Sequence, residues 1–442
     1  MTDRVVGVLP DVPAIDKVFD YLVPEPMDAD VRLGTIVRVV LHGRRVGGWV
    51  VREGTARGGN VAPAALKPLA KVTGWGPPPD VLALADWAAW RWAGRRGSLL
   101  GTASPSRAVR GLPPATAWSG RAPAPVDGEL GALVSDSLRR PAGGHRLLRL
   151  PPATDPFAVV AGAVALGPAL VLLPSVADAA RIGERLGREG VPVASHPGEW
   201  AAARAGGVSV VGARAAAWAP MPVLAAVVVV DGHDEAYQEE RAPTWHARDV
   251  AVERARRAGV PAVVVSACPD LVMVDAAAEV VAPSRNAERN GWPIVDIVDR
   301  REEDPRSGLF SERLASVLRT ADRAVCVLNR KGRARLLACS ACGELARCER
   351  CEAAVQQLDE QLSCGRCGEV RPPVCASCGA TRLKVLRLGV TRVREELEGL
   401  TGRAVGEVTA ETGALPDAAI VVGTVAVLHR VGRADVVAFL DF

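Results

Sequence analysis

The stretch LAAVVVVDGHDEAYQEE, residues 224–240, runs without a charge until Asp231 and then turns acidic and polar. A half-exposed strand alternates apolar and polar residues, whereas a strand covered on both faces does not. Four other runs share this unalternating character: RLLRL (146–150), ALVLL (169–173), GVSVV (207–211) and AVVVSA (262–267). Helical stretches such as Asp178–Glu189 and Ala247–Ala258 separate most of them. Strand and helix in alternation predict a parallel sheet with helices on its faces. A second unit with the same grammar begins near Ser311. It resumes beyond a cysteine-rich block with a helix over Thr391–Gly399 and the strands AIVVG (419–423) and DVVAFL (435–440). No internal repeat is evident.

Toward the N-terminus the pattern changes. VVGVLP (5–10), GTIVRVVL (34–41) and VGGWVV (46–51) are short β-rich runs divided by turn residues, followed by a helix over Asp80–Trp92. Residues 108–144 are rich in Pro, Gly and Ala and have room for one short helix, Glu129–Leu138. The division expected is a β-rich domain over 1–107, a linker or reduced domain over 108–144, and α/β units over 145–305 and 306–442. The second α/β unit carries an insertion at 336–382.

The chain has 442 residues, 49% hydrophobic and 24% charged, enough for several buried cores and against wholesale disorder. Its opening, MTDRVVGVLPDVPAID, has no secretory pattern. The one long uncharged stretch, Pro156–Ala177, is broken by Gly167-Pro168 and Pro174, so it reads as a helix, a turn and a strand. A soluble, cytoplasmic protein with no membrane partner is expected. Only five of the 54 basic residues are Lys, so the Arg count reflects a compositional bias and says little about function. The charge distribution is more informative. Residues 32–121 hold fourteen Arg and Lys against Glu53, Asp80 and Asp86, a net of +11; the whole chain carries +4, which leaves −7 elsewhere. A basic block of this size suits a polyanion such as nucleic acid better than a merely solvated surface.

Eight of the ten cysteines form four CxxC pairs: Cys339/Cys342, Cys348/Cys351, Cys364/Cys367 and Cys375/Cys378. A CxxC turn points two thiolates at one tetrahedral ion, and two such turns complete a closed shell. Eight ligands therefore predict two structural Zn²⁺ sites, with an iron–sulfur cluster as the rival. Spacing alone leaves open whether the pairs combine in nested or sequential fashion. Cys268 and Cys326 read as small core residues.

An acidic loop after a buried strand invites a nucleotide-hydrolase reading, with Asp231 as metal ligand at the strand's carboxyl end and His233, Asp234 and Glu235 assisting. A phosphate loop needs glycine-rich backbone, a Lys and a Ser/Thr. No Gly-Lys dipeptide exists in the chain, and the turn after the first α/β strand reads Leu150-Pro-Pro-Ala-Thr-Asp-Pro-Phe157. Its prolines remove amides, Asp155 repels phosphate, and no cation is evident in the local sequence.

Together these residues resemble the primosomal protein N′ (PriA) family of replication-restart helicases over nearly the whole chain. VLPDVPAIDKVFDYLVPE is similar to that family's opening and GTIVRVVLHGRRVGGWVV to its next strands. The 210–255 region resembles the stretch bearing its DEEH box, VVVSACPDL its GSATPSLE motif, and LNRKGRARLLACSACG its NRRG motif leading into zinc ribbons. The resemblance implies two RecA-like helicase lobes with an inserted double zinc ribbon, behind an N-terminal DNA-binding domain. It also exposes departures. The loop Lys is Pro156, its Ser/Thr neighbour Phe157, and the box reads Asp231-Gly232-His233-Asp234, with Gly232 in place of the water-activating acid. The second lobe is expected to be incomplete, the winged-helix region reduced to the linker, and the arginine-finger motif absent. These departures match the divergent actinobacterial form, thought to lack helicase activity.

The resemblance further implies nested zinc sites, Cys339/Cys342/Cys375/Cys378 and Cys348/Cys351/Cys364/Cys367. It implies a pocket for a DNA 3′ end at Phe19, Asp20, Tyr21, Gly43 and Lys67, with strand packing as the alternative for the two aromatics. The expected function is binding abandoned replication forks and helping reload the replicative helicase. Forked DNA, primosome proteins, the helicase and its loader, and single-strand binding protein would be the partners, at the nucleoid. An ATP-driven 3′-to-5′ DNA helicase using an atypical site is the competing class. A zinc scaffold that contacts only proteins is a third, opposed by the +11 block.

Overall fold

The structure is a computed structural model describing residues 4–54, 66–121, 123–139, 144–299, 310–328, 337–353, 355–358, 361–385, 390–409, 412–428 and 430–440. It divides into two compact units, Met1–Ile294 and Val295–Phe442.

The first unit opens with five antiparallel strands: β1 (Val5–Pro10), β2 (Phe19–Leu22), β3 (Ile36–Leu41), β4 (Arg44–Glu53) and β5 (Lys71–Gly74), in the order β2-β1-β4-β3-β5. The segment before β5 closes this sheet on itself. Leu69 N–H donates to Leu22 C=O at 2.9 Å and Ala70 N–H to Arg38 C=O at 2.9 Å, so residues 69–70 bridge β2 and β3. Inside the curl lie Val6, Val8, Tyr21, Val37, Val39 and Val50. Outward-facing Leu9 and Trp49 instead join a core shared with α1 (Pro79–Arg91) and α2 (Arg96–Ala103). Both α1 and the α3 helix (Gly128–Ser137) lie within one residue of their expected spans.

The α/β part follows as β6 (His145–Arg149), α4 (Phe157–Ala165), β7 (Ala169–Leu172), α5 (Val176–Arg188), β8 (Val193–His196), α6 (Trp200–Ala205), β9 (Ser209–Gly212), β10 (Ala226–Val229), α7 (Ala247–Ala258), β11 (Ala262–Ser266), α8 (Leu271–Ala276), β12 (Ala277–Val281) and α9 (Arg285–Asn290). The strands form one seven-stranded sheet, β12-β6-β11-β10-β7-β9-β8, parallel throughout. Alternate residues serve opposite cores. Leu147, Leu170, Val227 and Val264 face the core with α7, while Leu148, Val171, Val228 and Val263 face the core with α4 and α5. This two-sided burial explains the unalternating strand sequences. The stretch Pro156–Ala177 resolves into α4, a turn at Gly167-Pro168 and β7. Among the described residues no helix is long and apolar enough to cross a membrane.

The second unit contains α10 (Glu312–Thr320), β13 (Ala324–Leu328), β14 (Leu337–Cys339), β15 (Val355–Leu358), β16 (Gln361–Cys364), β17 (Val370–Arg371), β18 (Leu383–Val385), α11 (Val390–Thr401), β19 (Val405–Val408), β20 (Ile420–Thr424) and β21 (Val436–Phe439). A parallel sheet β19-β20-β13-β21 packs on α10 and α11. The cysteine insertion makes two small antiparallel sheets, β14-β18 and β15-β16-β17. The boundary at 305/306 and residues 329–336 of the NRRG-like stretch lie outside the described residues. Cys326 is buried as expected, its thiol pushed up to about 12 by desolvation. Cys268 is exposed, a correction to the core reading; it follows the end of β11, past the buried part of the strand.

Candidate functional site

Three sets of residues carry the chemistry. The first is the cysteine insertion. Antiparallel pairing of Cys339 with Leu383 brings the outer knuckles together, and pairing of Val355 with Cys364 brings the inner ones. The result is two tetrads, Cys339/Cys342/Cys375/Cys378 and Cys348/Cys351/Cys364/Cys367, with the sulfurs of each within 4.8 Å of one another. Across each tetrad Sγ–Sγ separations are 3.4 Å (Cys339–Cys378), 3.7 Å (Cys342–Cys375), 3.5 Å (Cys348–Cys367) and 3.5 Å (Cys351–Cys364). Four thiolates at about 2.3 Å from a tetrahedral ion stand roughly 3.8 Å apart, so both tetrads fit such an ion. Cys364 and Cys375 each point back at amides of their own turns, Cys367 and Arg366 in one case, Cys378 and Ser377 in the other, and their pKa values fall to about 6. At Cys367 and Cys378 the amides of Glu369 and Ala380 are outweighed, and desolvation with hydrogen bonds among the neighbouring sulfurs pushes both thiols up to about 12. Amide donors thus favour the thiolate that a metal needs. The four turns share one backbone rule, a left-handed residue four after the first cysteine: Gly343, Glu352, Gly368 and Gly379 at φ +78°, +59°, +75° and +74°.

The second set surrounds the loop after β6. Of its backbone amides, Ala153 N–H donates to Gly291 C=O and Thr154 N–H to Pro151 C=O, while Phe157 N–H donates to the Asp155 carboxylate at 2.9 Å. The start of α4, where a phosphate would sit, is thus filled by the chain's own carboxylate. A cation does lie here, contrary to the sequence reading. Arg185 reaches back from α5, pairs with Asp155, and stacks 3.6 Å from the centroid of the Phe157 ring. Pro156 sits at the N-cap of α4 and Phe157 is buried at its first turn. Nearby Arg149 pairs with Glu288 of α9.

Asp231 stands where expected, just beyond the carboxyl end of β10, with a left-handed φ of +50°. It keeps access to solvent, yet crowding by the strand ends desolvates its carboxyl and raises its pKa, a trend that His233 opposes and Asp234 and Asp178 reinforce. His233 Nδ1 lies 2.8 Å from Ser266 Oγ at the end of β11. Gly232 has no space for a side chain. A Cβ there would stand 2.3 Å from Val264 Cγ1 and 3.2 Å from Met273 Cε. Neighbouring packing therefore excludes an acid at this position.

The third set is the residues expected from sequence to receive a DNA 3′ end. Four of them are drawn toward one end of the closed sheet. Phe19, Asp20 and Tyr21 lie on β2, and Lys67 abuts them because Leu22 N–H donates to Lys67 C=O at 3.0 Å. Gly43, at φ +79°, forms with His42 the β3–β4 turn, three residues past Val40, whose carbonyl accepts from Tyr21 Oη at 3.3 Å. No atom approaches within 4 Å of where a Gly43 Cβ would be, so its role is conformational. Two side chains differ from the sequence expectation. The Tyr21 ring is 3% exposed and packs in the core, the alternative reading, with burial raising its pKa. Asp20 is ion-paired with Arg52 of β4. Phe19 is half-buried with Lys17 Nζ 5.5 Å from its ring centroid. Sequence reasoning missed Arg52 and Arg185; neither has a local signal, since the acid that pairs with each lies thirty or more residues away in the chain.

Comparison with known proteins accords with this geometry. Residues 7–105 match a family model described as the PriA 3'DNA-binding domain (3'BD). The probable replication restart protein PriA of Mycobacterium leprae is 31% identical over 93% of this chain and 71% of its own length. That of Mycobacterium tuberculosis (strain CDC 1551 / Oshkosh) is 30% identical over 87% of this chain and 65% of its own. Replication restart protein PriA of Bacillus subtilis aligns over 42% of this chain, 31% identical, and over 25% of its own length. The chain thus spans about two thirds of the mycobacterial relatives. A solved chain of S. cerevisiae dbp5 overlays at a TM-score of 0.33 and 10% identity, covering 71% of this chain and 88% of its own, too weak a likeness to carry an argument. A cysteine insertion of two nested tetrads, a DNA-binding domain matched over residues 7–105 and relatives aligned along most of the sequence lead to one assignment: the chain belongs to the replication restart protein PriA family.

Proposed function

We propose that the chain binds abandoned replication forks and promotes reloading of the replicative helicase without hydrolysing ATP itself. One observation carries the reading: the loop after β6 is occupied by the protein's own groups. Phosphoryl transfer depends on amides, a Lys and a metal ion acting together on one transition state. Here three prolines delete amides, Asp155 takes the Phe157 N–H, and the cation Arg185 is engaged by Asp155 and the Phe157 ring. Val264 fills the space that a water-activating acid at 232 would need.

On this reading the two α/β sheets are degenerate RecA-like lobes that serve as scaffold. The cysteine tetrads would each hold one Zn²⁺, a closed thiolate shell with no position left for substrate. Phe19, Asp20, Gly43 and Lys67 would receive a nascent 3′ end. Unwinding would come from partners at the nucleoid: primosome proteins, the replicative helicase and its loader, and single-strand binding protein. The test is ATP hydrolysis with and without forked DNA, together with melting in Mg-ATP. Background turnover and no thermal shift are expected.

A second reading, an ATP-driven 3′-to-5′ helicase with an atypical site, draws support from Asp231. Its carboxyl stands at the sheet's carboxyl edge, near the Ser266–His233 contact. DNA-stimulated turnover that vanishes in Asp231→Ala would establish it and displace the first.

A further inference from the structure

The closed sheet and the residues flanking it present two kinds of cationic side chain. Arg4, Arg52 and Arg96 are held in ion pairs with Asp28 and Glu53, with Asp20, and with Asp16 and Asp86. Arg38, Arg45 and Lys71 are exposed, and none has an ion pair or side-chain hydrogen bond among the described residues.

Register places these three on one face. Arg38 of β3 is directly opposite Lys71 of β5, and Val40 of β3 is opposite Arg45 of β4. Positions 38 and 40 point outward, because Val37 and Val39 fill the interior. Elsewhere the outer face is covered, with Leu9 and Trp49 in the core against α1 and α2. The end carrying Arg45, Arg38 and Lys71 remains open. Like charges directly opposed on paired strands destabilise a sheet. An anion bound across them turns that repulsion into attraction. Next in the row is Gly47, paired with Arg38, and beyond it Asp11, whose N–H donates to Gly47 C=O. Gly47 leaves the face low between Arg38 and the one acid of the row.

We infer that Arg45, Arg38 and Lys71 form a track for the phosphates of duplex DNA, separate from the 3′-end pocket. The three cross β4, β3 and β5, two strand spacings or about 10 Å. One strand of a duplex presents roughly three phosphates over that axial length. The track begins beside the Gly43 turn, so a duplex lying on it would lead its end toward the proposed pocket. The inference rests on the reading of this domain as DNA-binding and adds the duplex contact to it.

The test uses the full chain and two probes: a covalently closed dumbbell duplex with no free 3′ end, and a 3′-tailed oligonucleotide. The variant replaces Arg38, Arg45 and Lys71 together by Gln. It should bind the dumbbell at least about tenfold more weakly at moderate salt, with the slope of log affinity against log salt reduced by about 2 to 3. Preference for a 3′ hydroxyl over a 3′ phosphate on the tailed probe should be unchanged. Melting at low salt should be no lower than wild type, because repulsion between positions 38 and 71 is relieved. Lys71→Glu, which converts that repulsive pair into an attractive one, should also fold and also weaken dumbbell binding. Wild-type affinity and salt slope in the triple variant would overturn the inference. So would wild-type protein that binds the tailed probe but not the dumbbell, which leaves the DNA reading standing. Binding to neither probe would defeat the DNA reading itself.

Discussion

The Arg185 guanidinium lies 3.6 Å from the centroid of the Phe157 ring while also pairing with Asp155, so one side chain of α5 closes the loop that precedes α4. On the proposed reading this contact locks the loop and Arg185 is no phosphate clamp. Arg185→Gln removes a cation–π contact and a partly exposed ion pair, together worth about 1 kcal/mol. A fall of a few degrees in the melting transition of the first unit is expected, with Mg-ATP producing no shift in either protein. An ATP-dependent rise in the wild type that disappears in the variant would make Arg185 a nucleotide ligand and defeat the locking role.

The two cysteine tetrads differ in access, which predicts the order of metal loss. Cys342 and Cys378 of the outer tetrad are exposed, whereas Cys351 and Cys367 of the inner one are half-buried. Two metal equivalents per chain are expected, released by a strong chelator in two phases, outer first. Cys375→Ser should remove the fast phase and Cys364→Ser the slow one, each with loss of one equivalent. Because metal binding contributes folding energy to such ribbons, protease sensitivity within 337–385 should rise while the first unit's melting is unchanged. Elemental analysis giving one equivalent or fewer in the wild type would refute the assignment.

Strand runs and CxxC turns were legible because their signals are local. An unalternating aliphatic run reports burial on both faces, and a CxxC turn needs only four residues. The helix over Ala247–Ala258 has the span that its sequence suggests. What the residues alone left open was set by long-range pairing. Nesting of the tetrads follows from β14 meeting β18 across the whole insertion. The Asp20–Arg52 pair joins β2 to β4, which are not even adjacent in the sheet. Tyr21 and Phe19 lie on one strand with the same periodicity, yet Tyr21 packs within the closed sheet and Phe19 sits at its margin. Gly232 reads as a missing acid in sequence; only the structure shows that Val264 fills the space.

Two buried histidines contribute to the response to acid. His145 and His196 have their pKa pushed down to about 4, first by desolvation and then by Arg248 and Arg254 respectively, with Asp249 opposing in the case of His145. Unfolded, each titrates near 6.5. Between these values the unfolded chain binds protons that the folded chain refuses. The stability these rings allow is therefore full above about pH 6.5, falls as pH drops toward 4, and has no further loss from them below that. Each ring withdraws on the order of 3 kcal/mol across the window. Neither nitrogen of His196 has a hydrogen-bond partner among the described residues, so His196→Leu should change stability at pH 7 by no more than about 1 kcal/mol and flatten the decline between pH 6.5 and 4. A variant that keeps the wild-type slope would show that His196 is not the group responsible.

The Asp20–Arg52 pair makes a prediction about which DNA ends are accepted. Asp20 is mostly buried and Arg52 half-buried, so the carboxylate and guanidinium are held together at the margin of β2. A carboxylate in this position can accept a hydrogen bond from a terminal 3′ hydroxyl and repels a terminal phosphate, which carries up to two negative charges. Asp20→Ala removes both effects and leaves Arg52 without this partner, free to attract the phosphate. The wild type should prefer the hydroxyl end; in the variant the preference should fall to unity or reverse. The change should come from tighter phosphate-end binding as much as from weaker hydroxyl-end binding. Total affinity should survive, because most of it comes from backbone phosphate contacts spread over the basic block. Arg52→Ala should act differently, weakening both ends while keeping their order. Competition binding of matched oligonucleotides that differ only at the terminal group measures these ratios directly, and equal wild-type binding to both ends would remove Asp20 from end recognition.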